Sequence, residues 1–292
     1  MRPSRVPLRA AAATGAALTA TALATTGLVA GASTSATSEP VWAPAGSATL
    51  HPGVQTYTDG GQCTANFVFT DDAGKVYLGQ AAHCSGTGEA TDTDGCEAGT
   101  LPLGTKVEFR RDGSLLSAGK LLGTGKIAYS SWVAMKRAGE QDANVCAYND
   151  FALVEVDPAY VDDVNPTMPH WGGPEGINTT GSEAGDRVYS YGNSSLRAGL
   201  TELSPKTGVS MGTTGDGWSH PLYTLTPGVP GDSGSGFLDA DGNALGTLST
   251  LALAPLAGSN NIGDMAHELA YAQEHSGIPG LRLVKGTAPF TG

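Results

Sequence analysis

The sequence predicts an all-β fold that ends in one α-helix. Glycine and proline are frequent, with 42 and 17 residues among 292, and these residue types are typical of turns. The glycines follow no three-residue period, which excludes a collagen-like chain. Short apolar runs lie between the turn residues, and such runs are typical of β-strands.

Composition also limits the possible partners. Hydrophobic residues make up 40% of the chain and charged residues 15%, which excludes a disordered chain and a coiled coil. The formal net charge is −12. This acidic balance argues against nucleic acid and anionic membrane surfaces as partners, because both require clustered Lys and Arg.

The first 32 residues are typical of a secretory signal peptide. A basic segment, 1–9, precedes the uncharged run 10–32, which ends in the small residues Ala30-Gly31-Ala32. A membrane anchor is the alternative, but the run is rich in Ala and Thr and poor in Leu. We therefore expect a secreted, extracellular monomer without membrane association after cleavage, and we expect residues 33–60 to be an N-terminal extension.

Strands follow one another along the mature chain. Segments 65–70 and 76–78 flank the turn Asp71-Asp72-Ala73-Gly74 and predict a β-hairpin. The further predicted strands are 106–110, 151–156, 187–191, 222–225, 236–238 and 244–251. Residues 129–135 fit a strand or a helix equally, and the Gly/Pro-rich stretch 166–185 is a predicted linker.

The predicted helix lies near the C-terminus. Asp264 is a candidate N-cap for Met265 to Glu274, and Gly277 is a candidate C′ residue.

Residues with catalytic chemistry fall into three short motifs: Ala81-Ala82-His83-Cys84, Asn149-Asp150-Phe151 and Gly231-Asp232-Ser233-Gly234. Each has a structural explanation when it is taken alone: a lone structural His, an Asp that caps a turn, and a Gly/Ser turn. The third motif is the most specific, because a tight Gly-rich loop can point consecutive backbone N–H groups in one direction, as an oxyanion hole requires.

Together, His83, Asp150 and Ser233, in that order and with a cysteine beside the histidine, resemble the bacterial secreted type of chymotrypsin-like (trypsin-like) serine protease. The resemblance covers about residues 60–275. It implies two six-stranded antiparallel β-barrels and a C-terminal α-helix within a protease domain at 61–276. The implied bounds are about 61–165 and 186–262 for the barrels, 264–275 for the helix and 277–292 for a C-terminal tail.

The resemblance implies a role for each motif residue. Ser233 would be the nucleophile, His83 the general base and acid, and Asp150 the group that orients the imidazole. The backbone N–H groups of Gly231 and Ser233 would form the oxyanion hole. The substrate would be a protein or peptide, without a metal or other cofactor. The residues expected to border the specificity pocket are Pro227, Gly228, Ser249 and Leu251.

Four cysteines in an exported chain predict two disulfides in one of three pairings, and the absence of a CxxC pair gives no support to a zinc site. In the resembling family the cysteine after the catalytic histidine pairs with one a hairpin earlier, which implies Cys63–Cys84 here. We expect Cys96–Cys146 to pin an insertion between His83 and Asp150.

The chain departs from this family in two respects. Zymogen-activated members pair a newly freed N-terminal amine with the Asp before the nucleophile, here Asp232, but no Ile-Val-Gly-Gly-like segment is present. Asp232 therefore needs another partner, for which Arg187 and Arg197 are candidates. The pocket is also unusual, because Pro227 argues against a preference for Arg or Lys and Leu251 is expected to obstruct large aromatic side chains.

The sequence leaves two alternative functions open, an α/β-hydrolase and a binding module without turnover. Gly208-Val209-Ser210-Met211-Gly212 matches the nucleophile elbow of α/β-hydrolases, but the residues after it form a poor helix. A protease-like binding module that has lost turnover is the second alternative. The acidic segments 92–95 and 239–242 lack the spacing of an EF-hand and are predicted to be turns.

Overall fold

The computed structural model describes residues 40–88, 94–251 and 259–292, without the side chain of Leu251. The predicted signal segment, 1–32, lies outside the described residues. None of the helices in the described ranges is long and apolar enough to cross a membrane.

The described part of the chain forms fourteen β-strands and three α-helices. The strands are β1 (Gln55–Thr58), β2 (Gly61–Thr64), β3 (Val68–Thr70), β4 (Val76–Gln80), β5 (Lys106–Arg111), β6 (Lys120–Ser130), β7 (Ala152–Val156), β8 (Ala184–Tyr191), β9 (Pro205–Met211), β10 (Ser219–Thr224), β11 (Gly236–Leu238), β12 (Ala244–Leu251), β13 (Asn260–Asp264) and β14 (Arg282–Leu283). The helices are α1 (Ser131–Ala138), α2 (Ala143–Tyr148) and α3 (Met265–His275).

The first barrel is an antiparallel sheet in the order β14-β3-β4-β7-β6-β5-β1-β2. Strands β2 and β3 are the two halves of one bent segment. Ala65 donates its N–H to the Val54 carbonyl beside β1, and Asn66 donates its N–H to the Gly79 carbonyl in β4. Because this one segment pairs with β1 at one end and with β4 at the other, six strands close into a barrel and β14 extends its edge.

The interior of the first barrel is apolar. The side chains that fill it include Val68, Leu78, Val107, Phe109, Ile127 and Val154. Leu50 and Val54 are buried in the same core, and β1 pairs with both β2 and β5. The barrel therefore begins before residue 61, and the predicted extension 33–60 supplies one of its strands.

The second barrel closes in the order β10-β13-β12-β11-β8-β9. Its core consists of Val188, Leu222, Phe237, Leu245, Leu248 and Ile262. Two six-stranded antiparallel barrels followed by a helix are the architecture that the sequence predicted.

The helices begin and end where local chemistry allows. Residues 129–135 contain both predicted alternatives, because β6 ends at Ser130 and α1 begins at Ser131. Asp264 caps α3 by accepting a hydrogen bond from the His267 N–H, and Gly277 has a φ of 68° just beyond its end. Both predicted boundaries of α3 are confirmed.

The last residues pack on both barrels. Strand β14 pairs with β3 of the first barrel, through Arg282 opposite Thr70 and Leu283 opposite Phe69. The ring of Phe290 packs edge-on against Tyr189 of β8, with centroids 5.2 Å apart. Residues 277–292 are therefore part of the packed domain rather than a separate tail.

Candidate active site

A cavity of about 770 Å³ lies where the two barrels meet. Its lining includes His83, Asp150 and Ser233, three residues that are far apart in the sequence. The structure thus brings all three predicted catalytic residues to one opening.

His83 is fixed by its local backbone. It lies in a short 3₁₀ turn, Ala82–Ser85, directly after β4. Ala81 and Ala82 are fully buried, whereas 27% of the His83 side chain is exposed. Cys84 forms a disulfide with Cys63 in β2, which ties the histidine turn to the neighbouring hairpin and confirms the predicted pairing.

Asp150 accepts three hydrogen bonds close to His83. Nδ1 of His83 lies 2.6 Å from Oδ2 of Asp150, and the His83 backbone N–H donates to Oδ1 at 2.8 Å. The Ser249 hydroxyl donates to Oδ2 at 2.6 Å. Because an ionised carboxylate only accepts hydrogen bonds, it places the imidazole proton on Nδ1 and leaves Nε2 as the basic nitrogen.

The pKa values of this pair move in opposite directions. Burial disfavours the imidazolium, but the charge of Asp150 and its hydrogen bond outweigh burial and raise the pKa of His83 above its ordinary 6.5. Burial also disfavours the ionised carboxylate, but His83 and the hydrogen bonds hold the pKa of Asp150 below its usual value. The carboxylate therefore stays ionised and the imidazole becomes more basic.

The backbone on both sides of Asp150 is held by Ser131, the first residue of α1. The Ser131 hydroxyl donates to the Asn149 carbonyl at 2.7 Å and accepts the Phe151 N–H at 3.0 Å. The disulfide Cys96–Cys146 joins α2, just before Asp150, to the segment after His83. The second predicted pairing is thus also confirmed, and it lies where it restrains the segment that carries Asp150.

Two glycines shape the loop that carries Ser233. Gly231 and Gly234 have φ values of 95° and 86°, which favour glycine. A Cβ on Gly234 would lie 2.6 Å from the Thr64 carbonyl oxygen. The loop is also bound to the first barrel, because Thr64 donates its hydroxyl to the Gly231 carbonyl and its N–H to the Ser233 carbonyl.

The backbone N–H groups in this loop divide into two sets. Those of Asp232, Gly234 and Ser235 donate to carbonyl oxygens of the protein. Within the described residues, those of Gly231 and Ser233 have no acceptor. Two free donors beside the Ser233 hydroxyl are the arrangement that stabilises an oxyanion.

Asp232 is fully buried and pairs with two cations. Its Oδ2 lies 2.5 Å from the Arg197 guanidinium and 3.0 Å from the Lys206 ammonium. Its Oδ1 accepts the Ser194 N–H at 3.0 Å. Of the two candidate partners predicted from the sequence, Arg197 therefore pairs with Asp232, whereas Arg187 is exposed on β8.

Lys206 was not predicted from the sequence as a partner of Asp232. Its side chain is fully buried, and burial lowers its pKa, with a further decrease from Arg197. The available signal was the alternation of side chains along a strand. Lys206 and Ser210 lie four residues apart in β9 and so share a face, and this face is the buried one.

The predicted pocket residues separate in the structure. Gly228 and Ser249 line the cavity, but the Ser249 hydroxyl is committed to Asp150. Pro227 is not among the described residues that line this cavity, and its carbonyl accepts a hydrogen bond from Arg197 at 3.1 Å. The role of Pro227 in the pocket stays a prediction, and the side chain of Leu251 lies outside the described part of the chain.

Asn260 is a lining residue that the sequence analysis also missed. Its amide accepts the Gly228 N–H at 2.7 Å and donates to the Gly228 carbonyl at 3.2 Å. It also donates to the Thr250 carbonyl at 3.3 Å. This one side chain thus ties together the two segments that flank the cavity next to Ser233.

Ser210, the serine of the elbow-like motif, is buried inside β9. Its hydroxyl lies 2.7 Å from that of Ser182, which lies 3.1 Å from Nδ1 of the buried His220. A nucleophile elbow requires an exposed turn between a strand and a helix, so this serine does not form one.

Two clusters of side chains in the described chain are close enough to hold a metal ion. They are Cys63, His83 and Cys84, and Asp94, Cys96 and Cys146. All four cysteines are in disulfides, so neither cluster offers a thiolate.

The comparisons with known proteins found similarity in structure alone. No protein-family model and no curated protein matches this chain. Thermobifida fusca protease A is 16% identical, with a TM-score of 0.48 over 81% of this chain and 99% of that chain. A Glu endopeptidase is 13% identical, with a TM-score of 0.49 over 82% and 97% of the two chains. Cellulomonas bogoriensis chymotrypsin is 16% identical, with a TM-score of 0.44 over 80% and 98%.

Proposed function

We propose that this chain is a secreted serine endopeptidase that acts through Ser233, His83 and Asp150. One observation carries the proposal: the Asp150–His83 hydrogen bond, 2.6 Å long, lies in the same cavity as a serine flanked by two free backbone N–H groups. The two disulfides are consistent with an oxidising, extracellular location.

In the first half of the reaction, the Ser233 hydroxyl attacks the peptide carbonyl carbon while Nε2 of His83 takes its proton. The carbonyl oxygen becomes an oxyanion and accepts the N–H groups of Gly231 and Ser233. The Asp150 carboxylate stabilises the imidazolium through Nδ1–H. The imidazolium then donates its proton to the leaving amine, and the acyl-enzyme remains.

In the second half, water replaces the amine. Nε2 of His83 takes a proton from the water as the oxygen attacks the acyl carbon, and the same N–H groups hold the second oxyanion. The imidazolium returns the proton to the Ser233 oxygen when the ester bond breaks. The products are a carboxylic acid and the regenerated enzyme.

Substitution of Ser233 tests the proposal. We expect Ser233→Ala to lower kcat on an unstructured protein substrate by several orders of magnitude and to leave the fold intact, because the acyl-enzyme can no longer form. In serine proteases that lose a member of the triad, substrate binding and the oxyanion hole still give a rate roughly 10³–10⁴ above that of water, and we expect a residual rate of this size here.

Ser210→Ala is the matched control, because it removes the buried serine of the competing motif. We expect it to retain activity once folded. The assignment is wrong if Ser210→Ala is inactive and Ser233→Ala is active. A folded wild-type chain that binds peptides without cleaving them would favour the binding module instead.

A further inference from the structure

Glu268 is a buried carboxyl group that the proposed reaction does not use. It lies in the first turn of α3 and is fully buried. Its Oε2 accepts the Thr247 hydroxyl of β12 at 2.6 Å, and that hydroxyl accepts the Asn66 amide at 3.2 Å. Within the described chain, Oε1 has no hydrogen-bond partner.

The carboxyl group of Glu268 faces the segment that leads to Asp150. A Cβ on Gly263 would collide with Oε1 of Glu268 and would lie 2.8 Å from the Tyr148 carbonyl oxygen, so both oxygens border the same small space. The backbone N–H of Asp150 lowers the pKa of this carboxyl group, as a nearby donor would, against the larger effect of burial. Oε1 has no hydrogen-bond partner in the described chain and borders the same space as a carbonyl oxygen, so a proton on the carboxyl group would supply the missing donor.

The geometry points to Glu268 as a positioning residue that clamps the Tyr148–Asp150 segment from behind the site as a neutral carboxylic acid. Oε1–H donates to the Tyr148 carbonyl, and the carboxyl group accepts the Asp150 N–H and the Thr247 hydroxyl. The clamp fixes the Asp150 backbone, and through it the carboxylate that orients His83. This inference rests on the proposed function only in treating that carboxylate as catalytic.

Charge supports the neutral form. Burial holds the pKa of Glu268 well above its usual value, against a smaller opposing effect of the Thr247 hydroxyl. The charged groups that act on it are Asp150 and Asp264, and both raise its pKa further. Among the described residues, Tyr129 also interacts with it. An ionised Glu268 would therefore add an unpaired charge beside the Asp150 carboxylate.

Substitutions at Glu268 separate shape from charge. Glu268→Gln keeps the shape, with an amide N–H₂ donor in place of Oε1–H and an acceptor in place of Oε2. We expect its kcat and KM to stay within about twofold of wild type, because no charge is lost. Glu268→Leu removes both hydrogen-bonding functions, and we expect kcat to fall on the order of 10–100-fold with little change in KM, because a small displacement of a catalytic group is costly. Glu274→Gln, exposed on the same helix, is the control.

A second readout is independent of turnover. In wild type and Glu268→Gln, the proton between His83 Nδ1 and Asp150 should give a sharp downfield ¹H NMR resonance, and in Glu268→Leu it should shift or broaden. Glu268→Met serves in the same role if Glu268→Leu does not fold. The inference is overturned if the apolar variants keep wild-type kcat and the resonance, or if Glu268→Gln loses as much as they do. If wild type cleaves no peptide but the resonance responds as stated, the proposed function fails and the clamp stands.

Discussion

At the scale of single residues, the proposed role of the His83 imidazole sets how activity should depend on pH. Only its neutral form can take the Ser233 proton, and Asp150 raises its pKa above 6.5. We therefore expect kcat/KM to rise with pH through an inflection above 6.5. Asp150→Asn should move the inflection to lower pH. It should also lower kcat by about 10⁴-fold, which is the effect of the same substitution in a Ser-His-Asp triad. A rate that is independent of pH across this range contradicts the assignment.

The same titration acts on stability with the opposite sign. The pKa of His83 is higher in the folded state than in the unfolded state, so its contribution to stability is fully present below the unfolded pKa of about 6.5. That contribution disappears as the pH rises through the folded pKa. Activity should thus increase over the interval in which this stabilising pair loses its charge, and urea denaturation at several pH values measures the second effect.

Asp232 is the other buried carboxylate whose charge must be balanced. Arg197 and Lys206 both contact its Oδ2, so either cation can compensate for loss of the other. We expect the double variant Arg197→Met/Lys206→Met to lose about 3–5 kcal/mol of unfolding free energy, and more than the two single variants together. The loop that holds the Gly231 N–H should loosen, so kcat should fall too.

Arg187→Met is the control for this measurement, because Arg187 is exposed. It should leave both the unfolding free energy and kcat near wild type. If the double variant costs no more than the sum of the single variants, the two cations do not share the charge of Asp232.

At the scale of secondary-structure elements, the disulfides hold the segments that carry His83 and Asp150. Cys63–Cys84 spans 21 residues and Cys96–Cys146 spans 50. Loop-closure entropy gives a stabilisation of about 3 and about 4 kcal/mol, respectively. We expect the Cys63→Ala/Cys84→Ala pair to lower kcat as well as Tm, because that disulfide lies beside His83. Loss of Tm without loss of kcat in the folded variant would contradict a positioning role.

The secondary-structure elements also differ in how well the sequence predicted them. The hairpin before His83, the strand after Asp150 and the capped helix α3 were predictable because turn and cap residues act locally. The inward-facing residues Lys206 and Glu268 were not. Their burial depends on partners brought together by barrel closure, and a charged residue in isolation indicates a solvated surface.

At the scale of the whole molecule, the proposed reaction requires both barrels. His83 and Asp150 belong to the first barrel, and Ser233 belongs to the second. The hydrogen bond between Ser249 and Asp150 and the bonds between Thr64 and the Ser233 loop join the two halves.

The order of the motifs predicted this assembly through a family resemblance. The start of the first barrel and the packing of residues 277–292 were not predicted, because they depend on contacts distant in sequence.

Covalent labelling tests the central claim most directly. The wild-type protein is treated with a serine-directed phosphonyl fluoride, and the modified residue is located by peptide mass mapping. We predict one adduct, on Ser233, and none on the His83→Ala variant or on the protein unfolded in urea, because the hydroxyl is reactive only beside its base. A folded protein that remains unlabelled, or an adduct on Ser210, would contradict the account.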